Sequence, residues 1–174
     1  VTTQGGNVVF SASEGGPAVG ARIESEVSKA FGSPASVVLR SSAQLRRVVD
    51  GAPSGFGARP AHYRYDVVFL KDPLSATEAL ESVTARAGVD RVFTGSGVLY
   101  FSRLIAKASR SQLSRVVSMP VYQRMTIRNW NTTTRLLELV EVRGNRPGPG
   151  AGGGRPGSPA GVPPGGRGRS LRRR

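Results

Sequence analysis

The sequence predicts an α+β fold made of two ferredoxin-like halves, each of short strands and amphipathic helices, with a disordered C-terminal tail. Three observations carry that expectation. Short β-branched runs alternate with helices of 3.6-residue apolar period in two similar stretches, about 1–50 and about 61–142. A Gly/Pro-rich connector, Gly51 to Pro60, separates them. From Arg143 to Arg174 the only large apolar side chains are Val162 and Leu171, too little to offset the entropy of ordering the chain.

In the first half, Asn7 to Ser11 reads as a strand entered from Gly5-Gly6. A helix follows from Gly15-Gly16-Pro17, with Val19, Ile23, Val27 and Phe31 on one stripe, Gly32 placed to close it and Pro34 to forbid continuation. Ser36 to Arg40 reads as a second short strand. Ser41 with Gln44 forms a capping box that starts a helix whose inward face is Leu45, Val48 and Val49. In the second half, Tyr63 to Leu70 is a strand broken by Asp72-Pro73. Ser75 with Glu78 caps a helix that turns Leu80, Val83 and Ala87 inward. Arg91 to Thr94 and Val98 to Ser102 flank Gly95-Ser96-Gly97 as a hairpin. A polar helix is expected from about Ser109 to Ser118, ended by Pro120. The last ordered element is a helix from about Asn129 to Glu141, docked by Trp130, Leu136, Leu137 and Val140.

Charge sits unevenly on this plan. Eight arginines fall between Arg143 and Arg174 with no acid among them. Removing those eight from the net +14 leaves +6 for residues 1–142, so the folded part is only mildly basic. There is no cysteine, which excludes a disulfide scaffold, a thiolate nucleophile and any Cys-ligated metal. No apolar run approaches the ~18 residues of a membrane span, and the first residues have neither a basic n-region nor an apolar h-region. No membrane association is therefore expected, and cytoplasm is the expected location. Nothing in the pattern asks for a cofactor or a metal.

Candidate chemistry is sparse. Gly15 to Gly20 has the glycine spacing of a phosphate loop, but Ala21-Arg22 stands where such a loop needs Lys then Ser/Thr, so a surface turn is expected. The only histidine, His62, has no carboxylate partner nearby in sequence, and no nucleophile elbow or paired acid motif occurs, so catalytic residues stay unassigned. The densest polar block runs from Arg124 to Arg135. If Asn129 or Asn131 caps the last helix, free backbone N–H groups sit among Thr132, Thr133 and Thr134. Arg128 and Arg135, seven residues apart, would then share a helix face. The expected anion site is Arg128, Asn129, Asn131, Thr132 and Arg135, with Ser111 as a further contributor. A well-capped helix docked by Trp130 explains the same residues without a ligand, and both readings stay open on the sequence. The tail would make weak, unspecific contact with nucleic acid, since no aromatic residue is interleaved for stacking.

Several segments carry a family resemblance. Gln4-Gly5-Gly6-Asn7-Val8-Val9-Phe10 resembles the Gln-Ser-Gly-Asn-Val-Val-Phe segment of the bacterial family called domain of unknown function 1697. Arg128-Asn129-Trp130-Asn131-Thr132 is similar to that family's Arg-Asn-Trp-Asn-Thr signature, and Ser109 to Leu113 resembles its Gly-Arg-Ser-Lys-Leu element, with Gln112 in place of the lysine. The Tyr65 to Pro73 strand and turn also fits. The resemblance spans roughly residues 1–142 and implies a two-part α+β fold with no assigned activity. It also implies that a first strand, a Gly-Gly loop and a helix of the family precede the part seen here, so the chain reads as an N-terminally truncated member.

The function expected from these readings is a non-catalytic binding module for a phosphate-bearing ligand or nucleic acid. An enzyme acting on a small phosphorylated or nucleotide substrate, and an interaction domain without a ligand, are the alternatives.

Overall fold

In the computed structural model, which describes residues 6–12 and 16–144, one four-stranded antiparallel sheet organises the chain. Its strands are β1 (Tyr63–Leu70), β2 (Asp90–Gly95), β3 (Val98–Leu104) and β4 (Met125–Asn129), in the spatial order β2-β3-β1-β4. The helices are α1 (Gly16–Phe31), α2 (Ser42–Asp50), α3 (Ala76–Glu81) and α4 (Trp130–Gly144). β2 and β3 form the expected hairpin, with Gly95 opposite Val98.

Side-chain alternation along the strands divides the core between two faces. Val67 and Phe69 of β1 join Val98 and Tyr100 of β3 against Leu45 and Val48 of α2 and Leu137 of α4. Val68, Leu70, Leu99 and Phe101 point the other way, against Ala79 of α3 and the later Leu113 and Val116. Both faces are covered, so the second half of β1 is an unbroken apolar run.

The capping boxes at Ser41/Gln44 and Ser75/Glu78 form as the spacing requires. Gly32 closes α1 at φ +63. α3 differs in its inward face: Ala79 is buried, Leu80 is 37% exposed and Ala87 is exposed. The helix ends at Glu81, so Val83 packs from the following loop. α1 has no buried residue. Val19, Ile23 and Val27 are half-buried and Phe31 is 78% exposed. Its hold on the rest runs through Glu24, which accepts the Val37 N–H at 2.6 Å and pairs with Lys71. Burial pushes the Glu24 carboxyl up, but the bonds from Lys71 and Val37 and the Lys71 charge keep it below its ordinary value.

Three expectations are corrected. Residues 7–11 and 36–40 form no strand, and within 36–40 the Val37 N–H goes to a side chain instead of a ladder. Arg128 binds Gly6 and Asn7, and the Glu24 carboxylate takes Val37. The helix expected at 109–118 is replaced by three 3₁₀ turns, Ile105–Arg110, Leu113–Ser118 and Pro120–Arg124. Ser111 is extended, the Gln112 N–H donates to Asp90 at 2.9 Å, and the buried pair Leu113/Val116 has the spacing of a three-residue turn. The third correction is β4, which the sequence reading missed. α4 runs through Gly144, three residues past the end expected at about Glu141. The remaining tail residues, 145–174, lie outside the described residues, as do Gln4 and Gly5 of the N-terminal motif. Of the two-halves expectation, the α+β class holds, with a single sheet drawn from the second half. Gly16 to Gly20 are helical, leaving Gly15 of the phosphate-loop lookalike outside the described residues.

Candidate functional site

β4 runs directly into α4, and Asn129 makes the junction. As the last strand residue it accepts the Thr132 N–H at 2.7 Å through its side-chain oxygen, the cap the sequence suggested. Trp130 then fixes the helix start. Its indole lies edge-on to Phe56 at 5.1 Å and against Gly57, where a Cβ would come within 2.5 Å of the indole nitrogen. Gly57 holds φ +84, a conformation that suits a residue without Cβ.

Beside this junction lies an open groove of about 610 Å³. One wall is the first part of α4, with Asn129, Asn131, Thr132 and Arg135 as its polar groups and Leu136 and Leu139 as its apolar floor. The other wall is the irregular N-terminal segment, through Asn7 and Val9. The structure thus brings together four of the six expected site residues.

The other two stand apart. Arg128 is on β4, opposite Val67, and not on the helix, so it shares no helix face with Arg135. Its guanidinium donates from Nε to Asn7 Oδ1 at 2.6 Å and from Nη2 to the Gly6 carbonyl at 3.1 Å. Nη1 donates to Thr126 Oγ1 at 2.8 Å and to the Ile127 carbonyl at 2.7 Å. Arg128 therefore fastens one wall of the groove to the other. Ser111 lies between two 3₁₀ turns, where its hydroxyl accepts the Leu113 N–H at 3.3 Å, and it does not line the groove.

Within the groove the donors are partly committed. Thr133 and Thr134 hydroxyls donate back to the Asn129 and Asn131 carbonyls, at 3.1 Å each. Arg135 pairs with Glu138 at 2.8 Å on an exposed surface, where such a pair is worth little and yields readily to a competing anion. With the Thr132 N–H taken by the Asn129 cap, what stays available at the start of α4 is the Asn131 N–H, which has no intrahelical partner, with the Asn131 amide and the Thr132 hydroxyl. His62 is exposed in its loop, and the described residues hold no group of three or more metal-ligating side chains. Asn7 and Val9 escaped the sequence reading because their contact with Arg128 and α4 spans about 120 residues, beyond any local signal.

The family model described as "Protein of unknown function (DUF1697)" matches residues 2–100. That span is shorter than the 1–142 expected and ends before the Arg128–Thr132 block. No curated protein matches the chain. Among solved structures, the conserved bacterial protein SP0830 from Streptococcus pneumoniae is similar with a TM-score of 0.64 at 16% identity, over 75% of this chain and 73% of that one. At that identity the likeness concerns the fold alone.

Proposed function

This chain belongs to the family described as protein of unknown function DUF1697, and from its own surface we propose that it is a non-catalytic binding module for a small phosphate-bearing ligand. The observation that supports this is the groove itself. Asn131, Thr132, Arg135 and the start of α4 gather on one wall beside an apolar floor of Leu136 and Leu139. A phosphate would take the Asn131 N–H and the guanidinium of Arg135, released from Glu138. The apolar floor would take the ligand's uncharged part. Arg128 acts at one remove, by keeping Asn7 and Val9 in place as the far wall.

Calorimetric titration of the full chain with inorganic phosphate and a panel of nucleoside mono-, di- and triphosphates tests the reading. Arg135→Ala and Thr132→Val are each expected to weaken binding roughly tenfold, about 1.4 kcal/mol. Glu138→Gln, which frees Arg135, is expected to strengthen it. Unchanged affinity in all three variants would remove the groove as the site, and turnover of a bound phosphate ester would make the protein an enzyme.

A further inference from the structure

The two edges of the sheet are treated differently. Beside β4, Arg128 holds Gly6 and Asn7, and just before it the Ser36 hydroxyl donates to the Gln123 carbonyl at 3.1 Å. β2, at the other edge, has β3 on one side and no strand on the other among the described residues. The Leu104 N–H donates to the Val89 carbonyl at 2.9 Å, and bonded pairs recur every second residue. Arg91, Phe93 and Gly95 therefore bond to Ser102, Tyr100 and Val98. The N–H and C=O groups of Val92 and Thr94 point outward, and none of the four has a hydrogen bond among the described residues. The Asp90 N–H also points outward but is taken by the Arg86 carbonyl at 2.8 Å. Side chains guard this edge thinly. β2 has no Pro or Lys, and Phe93 is 41% exposed.

The pattern of free groups is its own complement. A two-fold axis normal to the sheet keeps like faces together only when it passes through a residue, since opposite residues share a face. With the axis at Phe93, Val92 of each copy lies opposite Thr94 of the other, and the four free groups on each copy are all used. Centred on Val92, the Thr94 carbonyl would instead face the Asp90 N–H, which is already taken. Centred on Arg91, two guanidinium groups would stand directly opposite each other. At Phe93 the exposed ring meets its own copy, Val92 and Thr94 form β-branched pairs on the other face, and Arg91 lies opposite Gly95, away from its copy. We propose that the protein forms a homodimer by antiparallel pairing of β2 with β2 of a second copy, giving one continuous eight-stranded sheet. The pairing lies at the sheet edge away from β4 and the α4 groove, and it stands whether or not that groove binds phosphate.

Sedimentation equilibrium of the full chain, from about 1 to about 200 μM, should show a monomer–dimer equilibrium. Two copies of net charge +14 repel, so raising KCl should tighten the dimer. Phe93→Lys sets two ammonium groups opposite each other and should weaken the dimer about 30-fold or more. Thr94→Pro removes an outward N–H while leaving the β2–β3 bonds intact, and should weaken it similarly. Should Thr94→Pro fail to fold, Phe93→Lys, at an exposed position, carries the test alone. Arg135→Ala should leave the dimer unchanged. The chain has no cysteine, so introduced thiols report the register. Oxidising an equal mixture of Val92→Cys and Thr94→Cys should give the mixed disulfide, whose Cα atoms would lie about 5.5 Å apart. Either variant alone should cross-link poorly, at about 7–8 Å. Self-linking of Val92→Cys as efficient as the mixed product overturns the register. A dimer untouched by Phe93→Lys and Thr94→Pro overturns the pairing. So does a chain still monomeric at about 200 μM, which would leave the edge to a strand of another protein.

Discussion

Gly57→Ala tests how the start of α4 is held. Gly57 sits at φ +84, and a Cβ there would lie 2.5 Å from Trp130 Nε1 and 2.6 Å from its Cδ1. Left-handed backbone costs a residue with a Cβ about 1–2 kcal/mol. The indole must also retreat by roughly 1 Å, an overpacking cost of about 1–3 kcal/mol. The expected loss is therefore about 2–5 kcal/mol. Gly55 supplies the control, since it holds φ +74 with nothing within 4 Å of a built Cβ. Gly55→Ala should cost only the backbone term, about 1–2 kcal/mol. Thermal melts separate the two, at about 4 °C per kcal/mol for a chain of this size. Trp130 is the only tryptophan, so its emission reports the displacement directly. Because Trp130 opens α4, Gly57→Ala should also weaken ligand binding in the groove, while Gly55→Ala should not. Equal losses in the two variants, or unchanged tryptophan emission in Gly57→Ala, would refute the close-approach argument.

Two further outcomes follow from single contacts. Glu24 is held below its ordinary value of 4.5, with burial outweighed by the bonds from Lys71 and Val37. Its contribution is therefore complete above that value and is lost as pH falls through the lower folded value. Hydrogen exchange should show α1 loosening on acidification, and Glu24→Gln should loosen it already at pH 7; an α1 equally protected at pH 3 and 7 would contradict this. Tyr100 donates a buried hydrogen bond to the Val48 carbonyl at 2.7 Å, and burial pushes its hydroxyl above the usual range. Tyr100→Phe should cost about 1–2 kcal/mol in urea unfolding, with an unchanged m-value.

Local chemistry was legible and pairing was not. Both capping boxes, the closing glycine of α1 and the β2–β3 hairpin are written within a few adjacent residues, where side chain and backbone meet without help from the rest of the fold. The missed strand shows the opposite case. Met125 to Asn129 has Thr and Arg at positions that read as a polar approach to a helix, and it becomes a strand because β1 offers it a ladder. Conversely, Ser36 to Arg40 has the composition of a strand but no neighbour beside it, and Glu24 and Arg40 settle its polar groups instead. The site divides the same way. Asn129, Asn131, Thr132 and Arg135 follow from one helix start, whereas the facing wall at Asn7 and Val9 depends on a contact across most of the chain.

Arg128 shows why the type of residue at a site does not fix its role. A guanidinium near a helix start suggested an anion ligand, yet four of its five N–H donors are spent on Asn7, Gly6, Thr126 and Ile127. A ligand in the groove would have to break those bonds to claim it, and with them the wall that makes the groove. Its positive charge still acts at a distance. The chain's cations then fall into distinct sets: one that joins elements, as Arg128 and Arg40 do; one spread along the exposed end of the sheet; and the eight beyond residue 142. Net charge counts all of these alike, although only cations with uncommitted donors can take up a phosphate. The +6 of residues 1–142 is therefore a better guide to the partner when it is located than when it is summed.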